Sequence, residues 1–346
     1  MIGICTFQSK SQKTRLFETA MNLSFSICKQ PQPLINFHGG LNTGSLNFNS
    51  HKDKVVIVIG ATGTGKSRLS IDLATHFPAE IVNSDKIQVY RGLDIVTNKV
   101  TEDECRGVPH HLLGIIDPNA DFTTTDFRHH ASLAIESIIE RDRLPIIAGG
   151  SNSFVDSLVN DDPYFAARCE CCFLWVDVSL PILESFVSDR VDQMVKAGLV
   201  DEVRAIFDPK ADYARGIRRA IGVPELDQFL RMERNADPAT LDALLQDAVE
   251  AIKVNTYKLA CRQLQKIHRL RDVWGWPLHH VDATEAFLKH GQEANEAWER
   301  LVVSPSAVIV GQFLYEDFND VISDPTGTTV LSRAVPSMVA MATATH

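Results

Sequence analysis

Five β-branched residues in a row, Val55-Val56-Ile57-Val58-Ile59, form a segment that is apolar on both of its faces. Such a run predicts a central strand of a parallel sheet, covered by helices above and below. Further apolar segments, Ala79-Glu80-Ile81-Val82, Leu144-Pro145-Ile146-Ile147-Ala148 and Phe173 to Val178, predict further strands. After Val178 the spacing changes. Ile182, Phe186, Val187, Val191, Met194, Val195 and Leu199 recur at three- and four-residue steps, which predicts a helix that stops at Gly198-Leu199 and a fresh one to Ile206. Strands first and helices afterwards predict the α/β class: a parallel sheet flanked by helices, followed by a mostly helical C-terminal part.

The segment after the first strand carries the chemistry. It reads Gly60-Ala61-Thr62-Gly63-Thr64-Gly65-Lys66-Ser67 and runs on into Arg68-Leu69-Ser70-Ile71-Asp72-Leu73-Ala74, a strand, glycine loop and helix in succession. G-x-x-x-x-G-K-S in that setting is a P-loop, so the sheet is expected to be P-loop NTPase-like. The glycines let successive backbone N–H groups turn inward around a phosphate. Lys66 adds a point charge, Ser67 a hydroxyl ligand for Mg²⁺, and the following helix its positive end. A P-loop identifies a bound phosphate or diphosphate, not a reaction. A GTPase would need Asn-Lys-x-Asp, and Asn98-Lys99-Val100-Thr101 lacks the carboxylate.

The second apolar segment leads directly into Asn83-Ser84-Asp85. Carboxyl ends of strands line the ligand crevice of a doubly wound sheet, so Asp85 is expected to face the phosphate loop, where it could accept a proton. It could equally cap the turn that begins near Lys86. Gly149-Gly150-Ser151 closes another strand, and its glycines allow close approach to the backbone. Two basic clusters follow: Arg215, Arg218 and Arg219 around Gly216, and Lys258, Arg262, Lys266 and Arg269 stepping by 4, 4 and 3 along one helix face. Each is either a solvated face or a set of cations for a second phosphate-bearing ligand.

The composition, 346 residues with 45% hydrophobic and 23% charged, is that of a globular chain with one large or two modest domains. The net charge of −10 argues against a protein that coats nucleic acid non-specifically. That charge is uneven. Residues 1–50 are net +3, hold no Asp and are rich in Ser, which leaves −13 for the remainder. Ser-rich, basic and acid-poor is the composition of an organelle transit peptide, the alternative being a disordered tail with no address. A plastid (chloroplast) is the destination if the source is a plant, and the cytoplasm is expected if residues 1–50 are not a transit peptide. The expected organisation is then a leader over 1–50, a P-loop α/β core over 51–180, a mostly helical part over 181–320 that completes the substrate channel, and a disordered tail over 321–346. No apolar run near the motif approaches the ~18 residues of a membrane span, so no membrane partner is expected. Seven cysteines without framework spacing suit a reducing compartment. Cys169-Glu170-Cys171-Cys172 lacks a second pair at zinc-site spacing and reads as part of a strand.

A family resemblance rests on strings in fixed order: Asn83 to Ile95 (NSDKIQVYRGLDI), Pro109-His110-His111-Leu112-Leu113, Asp126-Phe127, Gly149 to Ser153, Asp189-Arg190-Val191-Asp192-Gln193-Met194 and Gly198 to Val203. These resemble the isopentenyltransferases, P-loop prenyl transferases that place a dimethylallyl group on the N6 amine of adenine. Arg218-Arg219-Ala220-Ile221-Gly222-Val223-Pro224-Glu225 is similar to the plant adenylate branch, which makes cytokinins, more than to the tRNA branch. The resemblance implies that the glycine loop holds the diphosphate of dimethylallyl diphosphate and that AMP, ADP or ATP enters as acceptor. It implies Asp85 as the base for N6, and Lys66, Arg168, Arg218 and Mg²⁺ on Ser67 as stabilisers of the leaving diphosphate. Thr62 would touch the bridging oxygen, and Ser151 and Lys258 would join the binding residues. The chain shows no C-terminal Cys/His module of the kind often found in tRNA-modifying relatives, so a nucleic-acid acceptor is disfavoured. A tRNA acceptor is the alternative, and a P-loop kinase or regulatory NTPase the remote one.

Overall fold

The structure, a computed structural model, describes residues 52–322, with side chains up to Tyr315. The expected leader over 1–50 and the tail after Ile322 lie outside the described residues. Six parallel strands, β1 (Asp53–Ile59), β2 (Ala79–Asn83), β3 (His110–His111), β4 (Leu144–Ala148), β5 (Cys169–Asp177) and β6 (Leu278–Asp282), lie across one sheet in the order 3-2-4-1-5-6. The helices in the first part are α1 (Lys66–His76), α2 (Glu102–Cys105), α3 (Thr124–Ile139), α4 (Asn152–Asn160) and α5 (Pro163–Arg168). The second part holds α6 (Leu180–Lys196), α7 (Leu199–Ala205), α8 (Asp227–Met232), α9 (Pro238–Asp272), α10 (Thr284–Leu288), α11 (Gly291–Trp298) and α12 (Ser304–Ile322), with a π-helical turn, Glu299–Val303, before α12.

Strand β1 sits between β4 and β5, and its side chains alternate between two cores. Val55, Ile57 and Ile59 join residues of α3, α4 and α9, while Val56 and Val58 join residues of α1 and α12. All five are fully buried, which is why both faces had to be apolar. Each contributes about 1.5–3 kcal/mol of transfer free energy. Cysteines 169, 171 and 172 belong to β5, and burial pushes the Cys169 thiol up to about 11 and that of Cys171 to about 12.

Two strands were not predicted. β3 is two residues long, and β6 is an edge strand in which only Val281 is fully buried and His279, His280 and Asp282 are exposed. An edge strand needs no apolar run, so the hydropathy pattern passed over it. Because β6 comes from the part expected to be mostly helical, both parts share one sheet.

Helix α9 is 35 residues long. Asp237 caps it by accepting the Thr240 N–H at 3.1 Å, ahead of Pro238 at its first position. Ala248, Ile252, Thr256, Ala260, Gln263, Ile267 and Leu270 form its buried stripe, and Lys258, Arg262, Lys266 and Arg269 its exposed one. Among the described residues no helix is long and apolar enough to cross a membrane.

Candidate active site

The loops that follow β1, β2 and β4 meet at the carboxyl edge of the sheet, the place where an open α/β sheet binds its ligands. They surround a cavity of ≈ 1090 Å³. Thr62, Gly63, Gly65, Lys66 and Ser67 line it from the first loop, Asp85 and Gln88 from the second, and Gly149 and Gly150 from the third. Arg190 and Gln193 enter from α6 and Gln263 from α9, while Ile182, Phe186, Leu259 and Phe287 supply an apolar wall.

The first loop is held by its own atoms. The carbonyl of Ala61 accepts from the Thr64 hydroxyl at 3.0 Å and from Lys66 Nζ at 2.7 Å. Gly65 takes φ +91° at the start of α1, and a Cβ there would lie 2.5 Å from the Trp298 ring, so only glycine fits. Trp298 is fixed in turn by its indole N–H on Asp72 at 2.8 Å.

The site is electrostatically unbalanced. Lys66 is buried, and burial holds its ammonium down to about 8, with Asp85 opposing the shift and Arg190 adding to it. Burial alone brings Arg190 down to about 10. The Arg190 guanidinium donates to the Thr62 hydroxyl at 3.1 Å, and its buried Nε has no hydrogen-bond partner. Two desolvated cations therefore face one carboxylate, and an anion at this position would relieve both.

The geometry of Asp85 accommodates both roles that its sequence context left open. Its Oδ1 accepts the N–H groups of Ile87 at 2.8 Å and Gln88 at 3.3 Å, closing the turn. Its Oδ2 has no hydrogen-bond partner among the described residues and lies 3.1 Å from where a Gly150 Cβ would stand. Gly149 is equally tight, since a Cβ there would be 2.6 Å from the Asp85 nitrogen. The glycine pair thus lets the third loop press against Asp85. Beside Asp85, burial and the nearby charges of Lys266 and Arg219 depress the Lys86 ammonium.

Several expected site residues stand elsewhere. Arg168 directly precedes β5, beside Asp53 at the amino edge of the sheet, six residues or ~20 Å of strand away from the P-loop edge. It pairs with Asp53 at 2.8 Å and Glu136 at 3.0 Å, and so is a structural ion-pair residue rather than a stabiliser of leaving diphosphate. Arg218 bonds to Asn119 and does not line the cavity, whereas its neighbour Arg219 reaches the Tyr90 hydroxyl at 3.3 Å. Lys258 projects from the exposed stripe of α9, also outside the cavity wall. Ser151 braces the base loop from behind: its hydroxyl accepts the Lys86 N–H at 2.9 Å, and its own N–H bonds the Ser84 carbonyl at 3.2 Å. Gly60, Ala61 and Thr64 shape the loop without lining the cavity.

Arg190 and Gln263 are among the cavity residues that had no role in the sequence reading. Arg190 continues the stripe Ile182, Phe186 at four-residue steps, and a cation prolonging an apolar helix face is a usable signal. Gln263 is a polar residue in the buried stripe of α9, which is the same kind of signal.

The model of the IPP transferase family matches residues 88–168 and 160–269 of the chain. Adenylate isopentenyltransferase 5, chloroplastic, of Arabidopsis thaliana is 64% identical over 291 residues, covering 83% of this chain and 88% of the relative. The chain belongs to the IPP transferase family. Two further Arabidopsis thaliana relatives are each 54% identical to this IPP transferase: adenylate isopentenyltransferase 3, chloroplastic, with 86% of this chain and 91% of the relative covered, and adenylate isopentenyltransferase 7, mitochondrial, with 88% and 93%. Among solved structures, a eukaryotic dimethylallyltransferase acting on tRNA superposes with a TM-score of 0.63 at 23% identity, covering 76% of this chain and 80% of that one. The full-length tRNA isopentenylpyrophosphate transferase of Bacillus halodurans gives 0.60 at 25% identity, covering 77% and 100%. The IPP transferase fold thus accounts for the sheet, the P-loop and the helical part together, and the chain is a prenyltransferase.

Proposed function

We propose that this prenyltransferase is an adenylate isopentenyltransferase, which moves the dimethylallyl group of dimethylallyl diphosphate to N6 of AMP, ADP or ATP, the first step of cytokinin biosynthesis. The observation that carries the reading is the pairing of a cation-rich phosphate loop with a free carboxylate oxygen, Asp85 Oδ2, on one cavity. Lys66, Arg190 and the loop N–H groups bind the diphosphate of the donor, and the apolar wall of Ile182, Phe186, Leu259 and Phe287 accepts its five-carbon chain. Adenine N6 is a weak nucleophile because its lone pair is delocalised into the ring. As its bond to C1 of the donor forms, Asp85 Oδ2 takes the N6 proton, and the C1–O electron pair leaves with the diphosphate. The cations stabilise that departing charge.

Ser67 lines the cavity and its hydroxyl has no hydrogen-bond partner among the described residues, so it would be the side chain that holds Mg²⁺. Bound Mg²⁺ supplies further positive charge to the leaving group. Lys86, Lys266 and Arg219 are near enough to one another to depress the Lys86 ammonium but stand outside the cavity wall, so they would meet only acceptor phosphates that project beyond it. A plastid address for residues 1–50 is supported by the two relatives named chloroplastic, the third being named mitochondrial.

The test is product analysis by mass after mixing donor and Mg²⁺ with AMP, ADP, ATP or undermodified tRNA. Prenylated free nucleotide is expected. Prenyl transfer to tRNA alone would overturn the choice of acceptor, and phosphate transfer without any prenyl donor would overturn the donor assignment.

A further inference from the structure

Gln263 reaches the cavity from α9, far in sequence from every loop that it touches, and both ends of its side-chain amide are engaged. Its Oε1 accepts the Thr62 N–H at 2.7 Å, and its Nε2 donates to the Gly150 carbonyl at 2.7 Å. The Gln263 main-chain carbonyl also accepts from Asn152 Nδ2 at 3.0 Å, which fixes α9 to the start of α4. The side chain is 7% exposed, so neither bond has water as a ready substitute.

The two partners belong to opposite halves of the reaction. Thr62 carries the hydroxyl that Arg190 grips in the donor loop. Gly150 packs against the carboxylate oxygen of Asp85 that remains for the acceptor, and Gly149 against the Asp85 backbone. A single planar amide therefore links the donor loop to the base loop across the cavity. Because the Thr62 N–H is committed to Gln263, it is also withdrawn from the phosphate cradle, which then begins at Gly63.

We infer that Gln263 is a positioning residue, which sets the separation between the diphosphate held by the P-loop and the proton-accepting oxygen of Asp85. This rests on the donor and base assignments above. Reaction between two bound partners depends steeply on that separation, and a misplacement of about 1 Å costs on the order of 10²-fold in rate. Removing the strut should thus lower turnover while leaving each loop able to bind its own ligand.

The experiment compares wild type with Gln263→Met, which has nearly the same shape but neither bond, and with Gln263→Glu. The readouts are kcat per folded molecule, KM for the donor, and affinity for inorganic diphosphate. For Gln263→Met, kcat should fall ~10²-fold with diphosphate affinity little changed. The glutamate keeps both bonds only when protonated, since its ionised form sets a carboxylate against the Gly150 carbonyl. Its kcat should therefore approach that of wild type as the pH is lowered. Should Gln263→Met fail to fold, Gln263→Asn, too short to span both partners, takes its place with the same expectation. The inference is overturned if these variants lose heat stability but keep wild-type kcat, or if Gln263→Glu is no more active than Gln263→Met at any pH. A wild-type protein that prenylates no nucleotide would instead sink the proposed function, so the two failures are distinguishable.

Discussion

Arg190→Gln removes one of the two desolvated cations, and the structure gives the change two consequences of opposite sense. In the wild type, Nη2 of the guanidinium donates to the Thr62 hydroxyl, the Nε–H is buried without a partner, and the guanidinium lines the cavity where a diphosphate oxygen would lie. A hydrogen bond to a charged group is worth about 1.5–3 kcal/mol. Losing one such bond weakens binding of inorganic diphosphate about 10–150-fold at neutral pH. Arg190 also depresses Lys66, whose ammonium already loses its proton at about 8. Below that pH Lys66 is charged and grips the diphosphate, and above it the charge is lost. Donor kcat/KM in the wild type should therefore fall as pH rises through about 8. With Arg190 gone, the repulsion on Lys66 is relieved and this alkaline limb should move to higher pH, even as affinity at neutral pH drops. Calorimetry with inorganic diphosphate and a pH profile of donor kcat/KM measure the two effects separately. A variant that binds diphosphate as tightly as wild type, with its limb unmoved, would refute the placement of both cations around one anion.

Asp85→Asn keeps an oxygen for the turn formed by Ile87 and Gln88, so the fold should survive while turnover falls ~10²–10⁴-fold in steady-state assays, with donor affinity preserved. Lys66→Met should abolish diphosphate binding yet raise the stability of the ligand-free protein. The folded state depresses the Lys66 ammonium to about 8, so its charge opposes folding by up to about 3 kcal/mol below that pH and progressively less above it. Urea titrations at about pH 7 and about pH 10 should show a clearly larger gain from Lys66→Met at the lower value. Arg168→Ala breaks two half-exposed ion pairs, and should cost roughly 1 kcal/mol of stability with no change in turnover. A loss of activity in that variant would reinstate Arg168 at the site.

The buried strands and the P-loop could be read from sequence because each is dictated by local chemistry. A strand covered on both faces has to be apolar throughout, and a backbone cradle for phosphate has to contain glycine at fixed places. β6 obeys no such demand: it borrows one neighbour, buries one residue and exposes two histidines. Arg168 illustrates the limit of carrying a role along a chain without its direction. A residue before a parallel strand lies at the amino edge, and the P-loop, following a strand, lies at the carboxyl edge. For Asp85, sequence could offer a turn cap or a base, and only the structure shows that the cap occupies Oδ1 and leaves Oδ2 without a hydrogen-bond partner among the described residues. Gln263 could be singled out as a polar residue in a buried stripe, but not its partners, which are 201 and 113 residues away.

A P-loop by itself leaves open whether the bound phosphate is transferred or merely departs, and the remainder of the cavity decides. A phosphoryl acceptor needs polar groups and in-line access around the terminal phosphorus. Here Ile182, Phe186, Leu259 and Phe287 form an apolar stretch of wall that can hold a short hydrocarbon, which a phosphoryl acceptor would not need. Across from it Asp85 offers one free carboxylate oxygen, suited to a proton released by a neutral amine. Lys66 and Arg190 are both held below their ordinary ranges by burial, so a leaving diphosphate, gaining negative charge as its bond to carbon breaks, relieves their positive charge more than the intact donor does. That difference between ground state and transition state is what binding alone cannot provide, and it is the reason that the same loop can serve carbon–oxygen cleavage rather than phosphoryl transfer.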